Sequence, residues 1–365
     1  RAIFGRLPFT TAVGIQVLPA YNHVVCQDCE QHLLVHYPDG DGWTWARLTA
    51  DIGAPALAKG WGASAFFAHD GVPSYVYRGA DDRVHQLWFS DSGWWWNDLN
   101  SESGGAPPIA TEPHAYRNGD TQRVVYAAHD RRVIRLSQAP GQGWQWEDVS
   151  QAGAGYPLNT PFGYADYGVG LDVIAYRDNE EGLRILQEGP SGWSHISLTW
   201  ATQHENPMPL AASPIWGMAR EGEQHRLFCL DHRQDIRMFY WGADGAWHTR
   251  SLTAELGLPP TKALAVQRIF SLADIELKWV LVFADYEGRL REVRSSGDGW
   301  TTHLIQTDNI PPVGRQAISV WLSDTQRHVA YTAVNGNIQL LSRSISDVVA
   351  DSWHRRNLTR AAGVI

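Results

Sequence analysis

Cysteine is scarce: three residues allow at most one bridge, which excludes a disulfide framework. Lysine is nearly missing as well. The basic residues are almost all arginine, and a formal charge of −9 leaves no basic excess to displace counterions from nucleic acid or an anionic membrane. No apolar run reaches the roughly 18 residues that a membrane-spanning helix needs. Blocks of like charge, a phosphate-binding loop, a nucleophile motif and a metal triad are all missing, so neither a metal nor another cofactor is expected. The chain begins at Arg1 rather than Met, from which a removed leader or tag and a secreted or extracellular protein are expected, with a cytoplasmic one as the alternative. With 44% hydrophobic residues it has enough apolar content to bury a core, so wholesale disorder is excluded.

What the chain does hold is tryptophan, 18 residues against 10 phenylalanines, and the indoles recur at intervals. A GW-x4-LT phrase returns as GWTWARLT (42–49), GWWWNDLN (93–100), GWQWEDVS (143–150), GWSHISLT (192–199), AWHTRSLT (246–253), GWTTHLIQ (299–306) and SWHRRNLT (352–359). Ahead of each phrase stands a column residue: Cys26, Tyr77, Tyr126, Tyr176, Cys229, Phe283 or Tyr331. Seven residues later comes an aliphatic: Leu33, Val84, Val133, Leu183, Ile236, Leu290 or Ile338. Polar turn residues separate the two, which is the pattern of a hairpin. Two further apolar residues precede each column residue, as expected of strands covered on both faces. After each phrase a Gly/Pro loop leads into another strand-like run.

Each unit therefore reads as four short antiparallel strands, and its fourth strand is expected to run through the final D-L-T. Asn357-Leu358-Thr359, a glycosylation sequon by pattern, is that strand in the last unit. Seven units of about fifty residues predict an all-β fold, a single seven-bladed β-propeller. Its blades fall near 1–50, 51–101, 102–151, 152–200, 201–254, 255–307 and 308–365.

The stretch SYVYRGADDRVHQLWFSDSGWWWNDLNSESGGAPPIATEPHAY (74–116) resembles the repeats of the seven-bladed, Photorhabdus-type bacterial lectins. Those repeats read approximately H-V-V-Y-R, D-G-H-I-H-E-L, G-W-x-x-x-D-L-T and G-A-P-x-A. The resemblance implies a secreted sugar-binding propeller with pockets between neighbouring blades, directed at fucosylated or O-methylated glycans. It spans the whole chain as a repeat and is closest over residues 20–190. Departures are specific. The arginine after the column tyrosine persists as Arg78 and Arg177 but gives way to Gln27, Ala127, Leu230, Ala284 and Thr332 elsewhere. The H-x-H-E-L stretch is best kept as RVHQL (83–87) and drifts to RVIRL (132–136) and GLRIL (182–186). Two to four competent sites are therefore expected rather than seven.

A sugar asks for a flat apolar surface beside fixed donors and acceptors. Arg78, His85, Trp88, Trp95 and Arg177 are the candidates for that role. The first tryptophan of every phrase reads instead as a wedge between blades, because it recurs in all seven units. A second candidate set lies on the strand expected to line the channel: Trp61, His114, Tyr116, Tyr164, Trp216, Met218, Arg268 and Trp321. Rings there either plug the channel or enclose an apolar small molecule. The C-x2-C-x2-H-x3-H spacing at 26–36 resembles a zinc site, but Cys26 occupies the buried column and Cys29 falls in a turn, so packing is expected. Three functions remain: a non-enzymatic lectin, an enzyme of the cyclase or pericyclic kind at the channel mouth, and an interaction scaffold. The partner is a glycan or a small molecule in the first two.

Overall fold

Runs rich in Val, Ile, Leu and aromatic residues, broken by Asp, Gly and Asn, produce short strands joined by tight turns. The computed structural model describes residues 16–18, 23–28, 30–40, 42–59, 62–67, 72–151, 154–166, 170–180, 182–202, 215–218, 225–269, 278–296, 299–305, 310–323, 326–344 and 353–361. They form seven four-stranded antiparallel sheets, each strand paired with its neighbours in sequence, as in a seven-bladed β-propeller.

The first sheet holds β1 (Gln16–Leu18), β2 (His23–Gln27), β3 (Leu33–Asp39) and β4 (Gly42–Arg47), followed by the helical turn α1 (Leu48–Asp51). The second holds β5 (Ala63–Phe67), β6 (Pro73–Arg78), β7 (Val84–Ser90) and β8 (Gly93–Asp98), then α2 (Leu99–Glu102). The third comprises β9 (His114–Asn118), β10 (Thr121–Ala127), β11 (Val133–Gln138) and β12 (Gln145–Asp148). The fourth comprises β13 (Phe162–Asp166), β14 (Leu171–Arg177), β15 (Leu183–Gly189) and β16 (Gly192–Ser197), then α3 (Leu198–Ala201). In the fifth are β17 (Trp216–Met218), β18 (Arg226–Leu230), β19 (Ile236–Trp241) and β20 (Trp247–Ser251), then α4 (Leu252–Leu256). The sixth has β21 (Thr261–Ile269), β22 (Lys278–Asp285), β23 (Leu290–Ser296) and β24 (Gly299–Leu304). The seventh has β25 (Val313–Ser323), β26 (Gln326–Ala333), β27 (Ile338–Ser344) and β28 (His354–Asn357), then α5 (Leu358–Ala361).

The chain divides into two compact units, residues 1–63 with 261–365 and residues 64–260. In the first, apolar clusters join the sixth sheet to the seventh and the seventh to the first. In the second, clusters join the second sheet to the third, the third to the fourth and the fourth to the fifth. All seven column residues are buried, as are the seven aliphatics that follow them. A tyrosine there does more than fill space. The hydroxyls of Tyr126, Tyr176 and Tyr331 donate to the carbonyls of Pro107, Ala154 and Pro311, tying the Gly/Pro loop to its own sheet. Five of the seven first tryptophans sit where the wedge reading puts them: Trp144, Trp247 and Trp353 are buried in the inter-sheet clusters, with Trp43 and Trp193 packed against them, whereas Trp94 stacks on Tyr75 of its own sheet.

One expectation is corrected. The D-L-T segment does not extend the fourth strand; in five sheets it turns into a single helical turn, including Leu358–Ala361. Asp98, Ser197 and Ser251 cap these turns, accepting the backbone N–H of Ser101, Trp200 and Ala254. The residue after the leucine (Val149 in the third sheet) also has a fixed task. Thr49, Asn100, Ser150, Thr199, Thr253 and Thr359 each accept the N–H of the aliphatic that opens the third strand. That donor is buried beyond the reach of the sheet ladder, so the side-chain oxygen spares an unpaired N–H.

Candidate functional site

Counting from the column residue locates the groups that meet where two sheets stack. Nine residues after Tyr126 stands Arg135; four before Tyr176 stands Asp172, and twelve after it Glu188. Arg135 pairs across the strands with Glu147, and Trp193 opens the fourth strand of the next sheet. The third and fourth sheets bring these five together. Asp172 is fully buried. Its Oδ2 accepts from Arg123 Nε at 2.8 Å and Arg135 Nη1 at 2.5 Å, and its Oδ1 from Asn118 Nδ2 at 2.8 Å. Arg135 Nη2 donates to Glu147 at 2.7 Å and Glu188 at 3.2 Å. The guanidinium lies 4.8 Å from the centroid of the Trp193 ring, whose Nε1 donates to Glu147 at 3.1 Å. Burial opposes the charge on Arg135, but Asp172, Glu188 and Glu147 outweigh it and hold its pKa above the ordinary arginine value.

Three carboxylates against two guanidiniums leave no room for an added anion. The outer edge is open: 46% of the Glu147 side chain and 28% of Glu188 are exposed, so these acceptors face solvent while Arg135 holds them in place. Exposed acceptors, an anchored cation and a half-buried indole suit a neutral polyol. Behind this cluster Tyr116 lies flat on β13, where a Cβ at Gly163 would come within 2.2 Å of its ring. Arg123, Arg135, Glu147, Asp172, Glu188 and Trp193 escaped the search for aromatic and basic candidates; the signal was the arginine of RVIRL, a departure from the repeat.

The same positions carry other chemistry elsewhere. Between the second and third sheets they are Gln86, Asn97, Gln122, Gln138 and Trp144, with Gln86 donating to Gln122 at 3.3 Å and Gln122 to Gln138 at 2.9 Å. Between the fourth and fifth they are Ile185, Ile196, His225, Trp241 and Trp247, an apolar and aromatic set.

The structure separates the first candidate set. Trp88 and Trp95 are register partners on the face of the second sheet that carries Gln86. Trp88 Nε1 donates to Asn97 at 2.8 Å; Trp95 is 51% exposed and donates to Ser90 at 3.0 Å. His85 lies on the opposite face, buried, 3.0 Å from Asp81 and packed on Tyr77 and Trp96. Arg78 bonds Asp82 at 2.6 Å and the Ala110 carbonyl at 2.5 Å, joining the hairpin turn to the loop of the next sheet. Arg177 ends β14 in another sheet, and its N–H donates to Asn159 at 2.9 Å.

Of the second set, His114, Tyr116 and Tyr164 lie in one aromatic row. His114 is 4.2 Å from Phe162 and 6.3 Å from Tyr116, and Tyr164 Oη lies 3.2 Å from His225 Nδ1. Burial pushes the His114 pKa down to about 4. Trp321 is buried between the seventh and first sheets, stacked on His328 at 4.9 Å. Trp61 lies outside the described residues, as do the side chains of Trp216, Met218 and Arg268. Cys26 and Cys229 are free thiols pushed up to about 12, chiefly by burial, while Cys29 lies outside the described residues.

No protein-family model matches the chain, and no curated relative does. Solved structures do. The BP39L lectin of Burkholderia pseudomallei aligns over 95% of this chain and 98% of its own at 14% identity, with a TM-score of 0.69. A fucose-specific lectin from Aleuria aurantia aligns over 96% of each chain at 11% identity and 0.55. AofleA from Arthrobotrys oligospora covers 82% of this chain and 87% of its own at 14% identity and 0.54. These likenesses establish the β-propeller fold. The Aleuria protein is described as six-bladed, whereas seven sheets are present here.

Proposed function

We propose that the protein is a carbohydrate-binding lectin without catalytic activity, and that a neutral saccharide binds where the third and fourth sheets meet. The observation that carries this reading is Arg135 held under Trp193 while Glu147 and Glu188 keep exposed carboxylate edges. Sugar hydroxyls donate to Glu147 and Glu188, a ring oxygen or hydroxyl accepts from Arg135, and a C–H face rests on Trp193. The likeness to lectin propellers, among them a fucose-specific one, supports it. The repeat's resemblance to Photorhabdus-type lectins makes fucosylated and O-methylated glycans the first ligands to try.

The amide-lined junction of the second and third sheets, with the exposed Trp95 beside Trp88, serves as a second and weaker saccharide surface. Arg78 and His85 support that surface from within the sheet rather than touching sugar. Several weak sites on one chain give avidity for a glycan-bearing surface, which fits a secreted protein. Glycan-array screening followed by calorimetry tests the reading. Binding is expected to weaken at least about tenfold in Glu147→Gln, since a charge-assisted hydrogen bond is lost. A wild-type protein that ignores every glycan at millimolar concentration overturns it.

A further inference from the structure

Ten residues after the column residue, the third strand carries a buried apolar side chain: Leu87, Leu136, Leu186, Phe239, Val293 or Leu341. In the first sheet that position is His36. It is 3% exposed, and neither ring nitrogen has a hydrogen-bond partner among the described residues. Its cross-strand partners are Val24 and Trp45, and Leu34 stands two residues before it on β3. All three belong to or pack against the apolar cluster that joins the first sheet to the seventh. Side chains alternate along a strand, so His36 lies on the face turned to the seventh sheet.

Where neighbouring sheets follow one another in the chain, a loop runs from one into the next. The seventh sheet and the first are far apart in sequence and have no such loop. Side-chain packing holds them, with Val24, Cys26 and Leu34 set against Trp321, Ala330 and Leu340. Charged and titratable groups at this seam are few. On the first sheet Arg47 is paired with Asp28 and Glu30, and Cys26 is a buried thiol. On the seventh, β26 brings His328, stacked on Trp321 with its Nδ1 2.8 Å from Ser342 Oγ. β28 brings His354 and Arg356, opposite Ser342 and Leu340. Among the described residues, β25, β27 and α5 turn no charged side chain to this face. The carboxylates at hand are thus those already taken by Arg47, and an imidazolium at His36 gains no free anion. Burial pushes the pKa of His36, and of His328 across the seam, down to about 4.

We propose that the seam between the seventh and first sheets is an acid-sensitive closure, in which a proton taken up by His36 parts these two sheets while the other junctions stay packed. The closed seam refuses the proton, and the parted one accepts it with the ordinary imidazole pKa of 6.5. The free energy of closure is therefore complete above that value and falls as the pH drops towards 4. The open fraction rises by up to about tenfold per pH unit for each imidazole released. Imidazoles at two other junctions are bonded instead: His114 Nδ1 accepts the Gly163 N–H, and His225 Nδ1 lies 3.2 Å from Tyr164 Oη. The closure stands independently of the lectin reading.

Two buried thiols report on it, because Cys26 lies in this seam and Cys229 between the fourth and fifth sheets. The full chain carrying Cys29→Ser is labelled with a dipyridyl disulfide, which still reacts in acid, and peptide mass mapping separates the two sites. Each rate is referred to that of free cysteine at the same pH, which removes the thiol's own titration. Cys26 is expected to label faster than Cys229, and its rate to rise at least about fiftyfold from pH 6.5 down to about 4. His36→Leu installs the leucine found at this place in four other sheets. His36→Asn keeps a polar side chain that does not titrate. Both variants are expected to lower the rise of Cys26 by about fiftyfold. Equal rates for Cys26 and Cys229 at every pH would mean that global unfolding alone exposes them, and would overturn the proposal. A Cys26 rate that does not rise in acid, or that rises as steeply in either variant as in the parent chain, overturns it too.

Discussion

The junction between the second and third sheets and that between the third and fourth share a backbone and differ in charge. Gln86, Asn97, Gln122 and Gln138 in one stand where Arg135, Glu147, Asp172 and Glu188 stand in the other. Gln86, Gln122 and Gln138 are linked by neutral hydrogen bonds, while Asn97 bonds Trp88 and Glu102. The charged set buries one carboxylate under two arginines and turns two others towards solvent. Both are framed by the same buried column and the same wedge tryptophan, Trp144 or Trp193. The scaffold is thus indifferent to what the junction carries, which leaves the junction free to carry function.

The sharpest way to break the comparison is to remove one charge. Asp172→Ala is expected to destabilise by about 3–5 kcal/mol in urea unfolding, because Arg123 and Arg135 are left without their buried partner. Replacing the whole charged set by the amides of its neighbour (Arg135→Gln, Glu147→Asn, Asp172→Gln, Glu188→Gln, with Arg123→Val to remove the remaining cation) is expected to recover most of that loss. A quintuple variant no more stable than Asp172→Ala would show that the two junctions are not interchangeable.

A polar group placed in neither way marks the next effect. His36 is buried, and neither ring nitrogen has a partner among the described residues; burial pushes its pKa down to about 4. The unfolded chain binds this proton below its ordinary pKa near 6.5 while the folded chain refuses it. The contribution of His36 to stability is therefore full above that value and falls as the pH drops towards 4, by about 3 kcal/mol across the window. His23, His114 and His328, likewise pushed down to about 4 by burial, add slopes of their own. Unfolding free energies measured from pH 7 to 4 should therefore fall less steeply in His36→Leu by the share of this one residue, about 3 kcal/mol.

Smaller effects test the frame common to both junctions. Thr199→Val removes the acceptor for the Leu183 N–H and is expected to cost about 1–3 kcal/mol. Gln31 holds the left-handed position of its hairpin turn at φ 68°, the place taken by Gly288 and Gly336 in other sheets. Gln31→Gly is expected to change stability by less than about 1 kcal/mol, in the stabilising direction, as read from the unfolding midpoint.

The repeat made the seven sheets legible, because a buried column residue, its aliphatic seven positions on and a wedge tryptophan are all dictated by stacking. The helical turn after each fourth strand was less so: Leu-Thr fits a strand by propensity, and its capping by Asp98, Ser197 or Ser251 emerges only once the chain must turn. The candidate site was harder still. Arg135 and Asp172 lie 37 residues apart in sequence, and nothing local links them. They become neighbours only when the offsets from two successive columns are laid over stacked sheets. Arg78 and His85 were legible because they match the family's motif; their bonds to Asp82 and Asp81 became visible only in the folded hairpin.

The central claim is that the charged junction binds sugar and the scaffold alone does not. Calorimetric titration of the array-selected neutral glycan into wild-type protein and into the folded quintuple amide variant tests it most directly. Saturable heat in the wild type and an affinity reduced at least about a hundredfold in the variant are predicted, several charge-assisted bonds being lost together. Equal affinity in the two proteins would contradict it.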